Sequence, residues 1–234
     1  MLSIILPVLN EEASLPDVLA RLQYLRQLGH EIIVVDGGSR DNSLMLAQQA
    51  ADNVIVSQPG RAVQMNSGAE LAAGDVLLFL HADTTLPEGV ERILPEIESD
   101  VFWGRFDVRL SGKRLVFRII EAMMNLRSRI TSVATGDQAI FVTTSLFEKV
   151  GGYPEIALME DIAISKQLRR VVKPVCVRNK VVTSSRRWED RGVIKTLLLM
   201  WKLRLYYFFG MSPQKISRMY PVSYTHLRAH ETND

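Results

Sequence analysis

Apolar and polar residues follow two different periods along the chain. Residues 2–9 form a nearly continuous apolar run that stops at Asn10, the signature of a strand buried on both faces. Ser14 then offers an N-cap with Asp17 three residues on. Val18, Leu19, Leu22, Leu25 and Leu28 recur on one face of a helix that Gly29 closes. The same pair of patterns repeats as a strand at 32–35, a helix at 41–51, a strand at 53–56, a helix at 62–73 ended by Gly74, and a strand at 76–80. This predicts β-α-β-α-β-α-β, a parallel sheet covered by helices on both faces. The ligand crevice of such a sheet lies beyond the C-terminal strand ends, which directs attention to 7–12, 36–41 and 81–85.

The second half is less regular. We expect a helix at 87–97, a strand at 101–110, a long helix rich in Ile, Leu and Met at 114–133 and a strand-like stretch at 138–143. Thr144 starts a short helix that ends at Gly151-Gly152, and a further helix covers 162–171. No internal repeat or low-complexity linker divides the chain, so 1–222 reads as one α/β domain that includes amphipathic helices over 190–220. Residues 223–234 resemble translated sequencing adapter. They are set aside as a non-native tail, and the true C-terminus is expected to be missing.

Composition narrows the class. The chain has 234 residues, 47% of them hydrophobic and 23% charged, which suits a globular core. With 28 basic against 26 acidic residues it lacks the basic excess that nucleic-acid binding needs. The one cysteine, Cys176, excludes an intrachain disulfide and fits a reducing, cytoplasmic compartment; its apolar neighbours predict a small buried residue. No secretory leader is read at the N-terminus, and no stretch approaches the length of a transmembrane helix.

Four short segments carry the candidate chemistry, three of them leaving predicted strands: Pro7-Val8-Leu9-Asn10-Glu11-Glu12, Val35-Asp36-Gly37-Gly38-Ser39-Arg40-Asp41, Pro59-Gly60-Arg61-Ala62 and Leu80-His81-Ala82-Asp83-Thr84. A carboxylate such as Asp36 accepts from a base N–H or a ribose hydroxyl, and glycines beside it let backbone approach a ligand. Arg61 offers a fork of donors to phosphate oxygens. Asp83 suits a divalent cation that neutralises a diphosphate. Taken singly, each has a plainer reading: a strand-to-helix turn, a helix cap, a solvated arginine. Together they suit a nucleoside diphosphate.

The order Pro-x-x-Asn-Glu, Val-Asp-Gly-Gly-Ser-x-Asp, Gly-Arg-Ala and then Glu160-Asp161 closely resembles the family-2 glycosyltransferases of the GT-A fold, over roughly residues 2–220. The likeness is greatest to small bacterial members with His-Ala-Asp in place of Asp-x-Asp. The resemblance implies that Pro7, Glu11, Asp36, Arg61, His81 and Asp83 form the donor side, with Asp83 on the metal. It implies a UDP- or GDP-sugar donor, and Asp161 as the base of an inverting displacement, with Glu160 beside it. His81 replaces one carboxylate. If its imidazole reaches the cation, Mn²⁺ is favoured over Mg²⁺; if it packs against the strand, Asp83 ligates alone. Asp137 and Gln138 fall where the family places acceptor-side residues.

Ser184-Ser185-Arg186-Arg187-Trp188 resembles the Gln-x-x-Arg-Trp motif of processive members, but Ser184 replaces the glutamine, which does not support processive synthesis. Arg187 and Trp188 could still reach diphosphate or acceptor. Residues 193–209 are rich in aliphatic and aromatic side chains interrupted by Lys195, Lys202 and Arg204. Such a helix either packs, including in a homodimer, or lies on a membrane surface, where a lipid-linked acceptor would follow. A nucleotidylyltransferase would need a Gly-rich basic loop after strand one, and a dehydrogenase G-x-G-x-x-G; both are absent from 7–12. The non-enzymatic alternative is a nucleotide-sugar sensor or scaffold.

Overall fold

The computed structural model describes residues 1–94 and 99–220. Strands Leu2–Val8 (β1), Glu31–Asp36 (β2), Asn53–Val56 (β3) and Val76–Phe79 (β4) pair in parallel, in the order β3-β2-β1-β4. Helices Leu15–Gln27 (α1), Ser43–Ala50 (α2) and Arg61–Leu71 (α3) join them. The pleat explains why these strands read as unbroken apolar runs. Ile4, Leu6 and Val8 pack with Ile32 and Val34 against Leu15, Leu19 and Leu22 of α1. Ile5, Ile33 and Val35 point the other way, onto Ala62 and Met65 of α3. Burying each such side chain stabilises the fold by roughly 1.5–3 kcal/mol, so both faces hold the register.

The rest of the chain completes a mixed sheet. Its elements are Thr84–Thr85 (β5), Val90–Ile93 (α4), Trp103–Leu110 (β6), Leu115–Thr131 (α5), a 3-10 turn at Gly136–Gln138, Phe141–Thr143 (β7), Thr144–Val150 (α6), Glu160–Val171 (α7), Val175–Thr183 (β8), Arg186–Arg191 (α8), Val193–Phe208 (α9) and Pro213–Met219 (α10). The full order is β3-β2-β1-β4-β7-β6-β8-β5. β7 runs antiparallel to β4 and β6, and β8 runs parallel to β6.

Several expectations change. The helix expected at 87–97 is confined to Val90–Ile93, begun by Gly89 at φ +75°; positions 95–98 lie outside the described residues, as does the tail 223–234. The strand expected at 138–143 starts only at Phe141, because Gly136–Gln138 closes a turn. Ser14 does not cap α1 with its side chain; its hydroxyl donates to the Glu11 carboxylate at 2.6 Å. Cys176 is half-buried on the β8 strand rather than enclosed.

The helix α9 is anchored through fully buried Leu203, which packs with Ile216 of α10 and with Met159 and Ile162 at the start of α7. Its opposite side leaves Ile194, Leu198, Trp201, Leu205 and Phe208 exposed. The helix α5 likewise exposes Leu115, Ile119, Met123, Leu126 and Ile130 at helical spacing. Among the described residues no helix is long and apolar enough to cross a membrane.

Candidate functional site

The ends of β1 and β2 are stitched together before any ligand arrives. Gln64, buried on α3, donates through Nε2 to the carbonyls of Val8 and Val35, each at 2.8 Å. Asn10, held at φ +55°, accepts from the Arg40 N–H at 2.8 Å through Oδ1, while its own N–H donates to Ser39 Oγ at 2.9 Å. Glu12 accepts from the Asn42 N–H at 2.9 Å. Asp36 is nearly enclosed, and its Oδ2 accepts from the N–H groups of Gly38 (3.0 Å) and Ser39 (2.9 Å), while the Ser39 hydroxyl donates to Oδ1. This is an Asx-type turn, which Gly38 permits at φ +88°. Asp36 therefore shapes the loop first and has only its remaining lone pairs to offer a nucleotide.

The second half of the site joins the end of β4 to the start of α7. His81 Nδ1 lies 3.6 Å from Asp137 Oδ1 in the 3-10 turn. Its Nε2 lies so close to Gly136 that a Cβ there would stand 2.3 Å away. The Gly136 N–H in turn donates to Asp161 Oδ2 at 3.1 Å, and the Ile162 N–H donates to Asp161 Oδ1 at 2.7 Å. Partial desolvation works against ionisation of Asp137, but the nearby His81, with Arg187 and Arg61, outweighs it and holds its pKa at about 2. Glu160 is buried, and burial followed by the neighbouring Asp161 charge raises its pKa, against the pull of Arg61 Nη1 at 4.0 Å. Left-handed backbone at Met159 (φ +72°) and Ala139 (φ +47°) flanks these carboxylates. Non-glycine residues held there cost of order 1–3 kcal/mol each and concentrate at functional sites.

Pro7 is half-buried near the end of β1, and Glu11 follows in the stitched loop. Asp83 is half-buried, with its Oδ1 accepting from the Thr84 hydroxyl at 3.3 Å. Arg187 reaches the same region from α8 and hydrogen-bonds the Tyr220 hydroxyl, with its Cζ 5.3 Å over that ring. Two further residues expected on the acceptor side, Gln138 and Trp188, have partners within the fold. Gln138 is fully buried, with its carbonyl on the Thr135 N–H at 3.2 Å, so it braces the turn. Trp188 packs against the cluster of Leu110, Phe117 and Ile120 and supports α8. Sequence reasoning missed Gln64 and Tyr220. Gln64 had one signal, a polar residue on the inward face of α3; Tyr220 had none, because its role depends on how the last helices return.

A divalent cation would find a sparse protein ligand set here. Among the described residues no three His, Cys, Asp or Glu side chains gather as a metal cage. Asp83 would supply one carboxylate, and the remaining ligands would be diphosphate oxygens and water, which is how Mg²⁺ and Mn²⁺ are commonly held at phosphate sites. The residues fit such an ion. The His81 imidazole lies against Asp137 and Gly136.

A parallel β3-β2-β1-β4 half, extended by antiparallel strands and opening its carboxylates at the strand ends, defines the GT-A class of α/β fold. The chain belongs to glycosyl transferase family 2, whose model matches residues 3–148. It is 40% identical over 155 residues to an undecaprenyl-phosphate 4-deoxy-4-formamido-L-arabinose transferase of Pseudomonas fluorescens (strain Pf0-1), covering 58% of this chain and 44% of that one. The chain thus spans less than half the length of that relative. Among solved structures, S. aureus TarS 1-349 in complex with UDP-GlcNAc superposes with a TM-score of 0.63 at 19% identity, over 78% of this chain and 58% of that one. Mannosyltransferase PcManGT from Pyrobaculum calidifontis, in complex with GDP-Man and Mn²⁺, gives 0.61 at 17% identity over 87% and 60%.

Proposed function

We propose that this protein transfers a sugar from a nucleoside-diphosphate donor to an acceptor hydroxyl, with inversion at the anomeric carbon. The observation that carries the reading is the chain of contacts from His81 through Asp137 and Gly136 to Asp161, beside Arg61 and Glu160. It gathers cationic and carboxylate groups from four parts of the chain: α3, the end of β4, the 3-10 turn and α7. In this reading the loop of Glu11 and Asp36 takes the nucleoside, and Arg61 and Arg187 face the diphosphate. A cation at Asp83 supplies charge neutralisation for the leaving diphosphate. Asp161, oriented by the Gly136 and Ile162 N–H groups, receives the acceptor proton as the new glycosidic bond forms.

The exposed apolar sides of α5 and α9 and the relative named for undecaprenyl-phosphate support a lipid-linked acceptor and a peripheral position on a membrane. The Mn²⁺ complex of a structural neighbour supports a metal, and a preference for Mn²⁺ over Mg²⁺ would arise from His81 turning to the ion.

Thermal unfolding of the full chain with UDP, GDP, ADP, CDP or dTDP, each with Mn²⁺, Mg²⁺ or EDTA, tests the donor site. A nucleotide at 100 times its Kd adds about 2.7 kcal/mol, a shift of roughly 5–10 °C for a chain of this size. One nucleotide should shift the melt only with metal, and Asp83→Ala should abolish that shift. His81→Ala should erase any difference between the two metals. A cooperative melt that no nucleotide moves would remove the donor reading.

A further inference from the structure

Helix α3 sends polar side chains to parts of the site that lie far apart in the chain. Gln64 and Gly68, four positions apart, share the face that meets the sheet. Gln64 holds the ends of β1 and β2. A Cβ at Gly68 would stand 2.5 Å from Ile5 Cγ2 and 3.0 Å from Val35 Cγ2, so the helix lies close on the strands. Asn66 comes two positions after Gln64, about 200° around the helix. It reaches the segment that leads into α7. There Asn66 Nδ2 donates to the Tyr153 carbonyl at 2.9 Å, and Asn66 Oδ1 accepts from the Tyr153 N–H at 2.9 Å. One carboxamide thus meets both main-chain polar groups of one residue, 87 positions away, as a neighbouring strand would.

Two further observations show that this contact is built in. Gly152, at φ +72°, leaves room for it, since a Cβ there would stand 2.8 Å from Asn66 Oδ1. The Tyr153 ring is fixed as well, edge-on to Phe79 at 4.9 Å and beside Phe147 at 5.8 Å between centroids. Phe79 ends β4, two residues before His81. Beyond Tyr153 the chain passes Pro154 and left-handed Met159 and enters α7 with Glu160 and Asp161. The other contact between α3 and this stretch is the ion pair of Arg61 with Glu160, at 4.0 Å and from an exposed arginine. A long, solvent-screened pair of that kind holds little on its own. The firm tie between α3 and the approach to α7 is the Asn66 pair.

We infer that Asn66 is a positioning residue for the proposed base: by clasping Tyr153 it fixes the approach to α7, and so the place of Asp161, relative to the helix that carries Arg61 and braces the nucleoside loop. Asparagine suits this task because its short carboxamide offers a donor and an acceptor together, whereas aspartate offers acceptors only. The inference rests on the glycosyl-transfer reading and adds to it the part that sets the distance between donor and base.

Amide NMR of the full chain tests the placement directly. The Gly136 N–H donates to Asp161 Oδ2 from a distant turn, so its resonance reports where that carboxylate stands. Asn66→Ala and Asn66→Asp should each move it, and should leave in place the resonances of Gly38 and Ser39, which report the Asp36 turn. Donor hydrolysis gives the second readout, with UDP-GlcNAc and GDP-Man as probes, Mg²⁺ present and water standing in as the acceptor. A misplacement of about 1 Å can cost 10²-fold in rate, so kcat should fall by about tenfold or more. The donor KM should stay within about twofold of wild type, because donor contacts are kept. All rates are taken well below each variant's melting temperature. A lower melting temperature with kcat and the Gly136 resonance unchanged would make Asn66 a structural residue only and overturn the inference. So would a raised KM with kcat unchanged, which would put Asn66 on the donor side. If Asn66→Ala fails to fold, Asn66→Asp, which keeps an acceptor for the Tyr153 N–H, decides. If wild type hydrolyses neither probe, that counts against the donor reading, and the Gly136 resonance still decides the clasp.

Discussion

Glu160 and Asp161 open the same helix, yet their carboxylates meet different surroundings. Glu160 is buried against Arg61, while Asp161 takes two backbone N–H groups at the edge of the crevice. Replacing each should separate stability from turnover. Asp161→Asn keeps the size and one acceptor oxygen but cannot receive a proton. Turnover should fall by about 10²–10⁴-fold with a melting temperature close to wild type, read by donor turnover and calorimetry. Glu160→Gln should act on stability. Folding raises the Glu160 pKa, so the folded chain holds this proton more tightly. That contribution is present at low pH and is lost as pH rises from the ordinary glutamate range, about 4.3, through the raised folded value. At pH 7 the variant should therefore melt at or above wild type, and the gain should vanish near pH 4. A lower melting temperature at pH 7 would mean that the Arg61 contact outweighs burial.

At the scale of elements, the 3-10 turn of Gly136–Gln138 is the joint between the end of β4 and the start of α7. It works because position 136 has no side chain: a Cβ would stand 2.3 Å from His81 Nε2 and 2.4 Å from Cε1. Gly136→Ala should push His81 off Asp137, with a stability cost of about 1–3 kcal/mol from overpacking and a rise of the Asp137 pKa from its value near 2. Carboxylate titration by NMR and a denaturant melt check both; an unmoved Asp137 titration would show that His81 does not govern it. The first four strands were legible because each buries alternate residues on two faces, which leaves an unbroken apolar run. The turn was not legible, since it depends on His81 from a distant strand end. Neither was β8, which carries Arg178, Asn179 and Lys180 in its middle and so matches no strand template. The donor-side motifs stood out by their order along the chain.

At the scale of the whole molecule, two helices present apolar sides that nothing among the described residues covers. Burial of a leucine or tryptophan in an interface contributes roughly 1.5–3 kcal/mol, about a tenfold change in partitioning or more. Leu198→Glu and Trp201→Glu should therefore each weaken co-sedimentation with anionic phospholipid vesicles by about tenfold or more, without altering nucleotide affinity. If the surface serves a second copy of the chain instead, sedimentation velocity will show a wild-type dimer that the same substitutions split, and vesicles will pull down neither form.

The half-buried thiol on β8 has a practical consequence. Cys176 is the chain's one cysteine, and it lies in register with Arg105 on β6, whose side chain hydrogen-bonds Ser128 of α5. A maleimide dye would attach once per molecule, beneath the helix whose outer side is apolar, with no mutagenesis. The unaltered protein thus carries its own mounting point for an optical probe, and quenching by lipid-borne nitroxides would time its arrival at a bilayer.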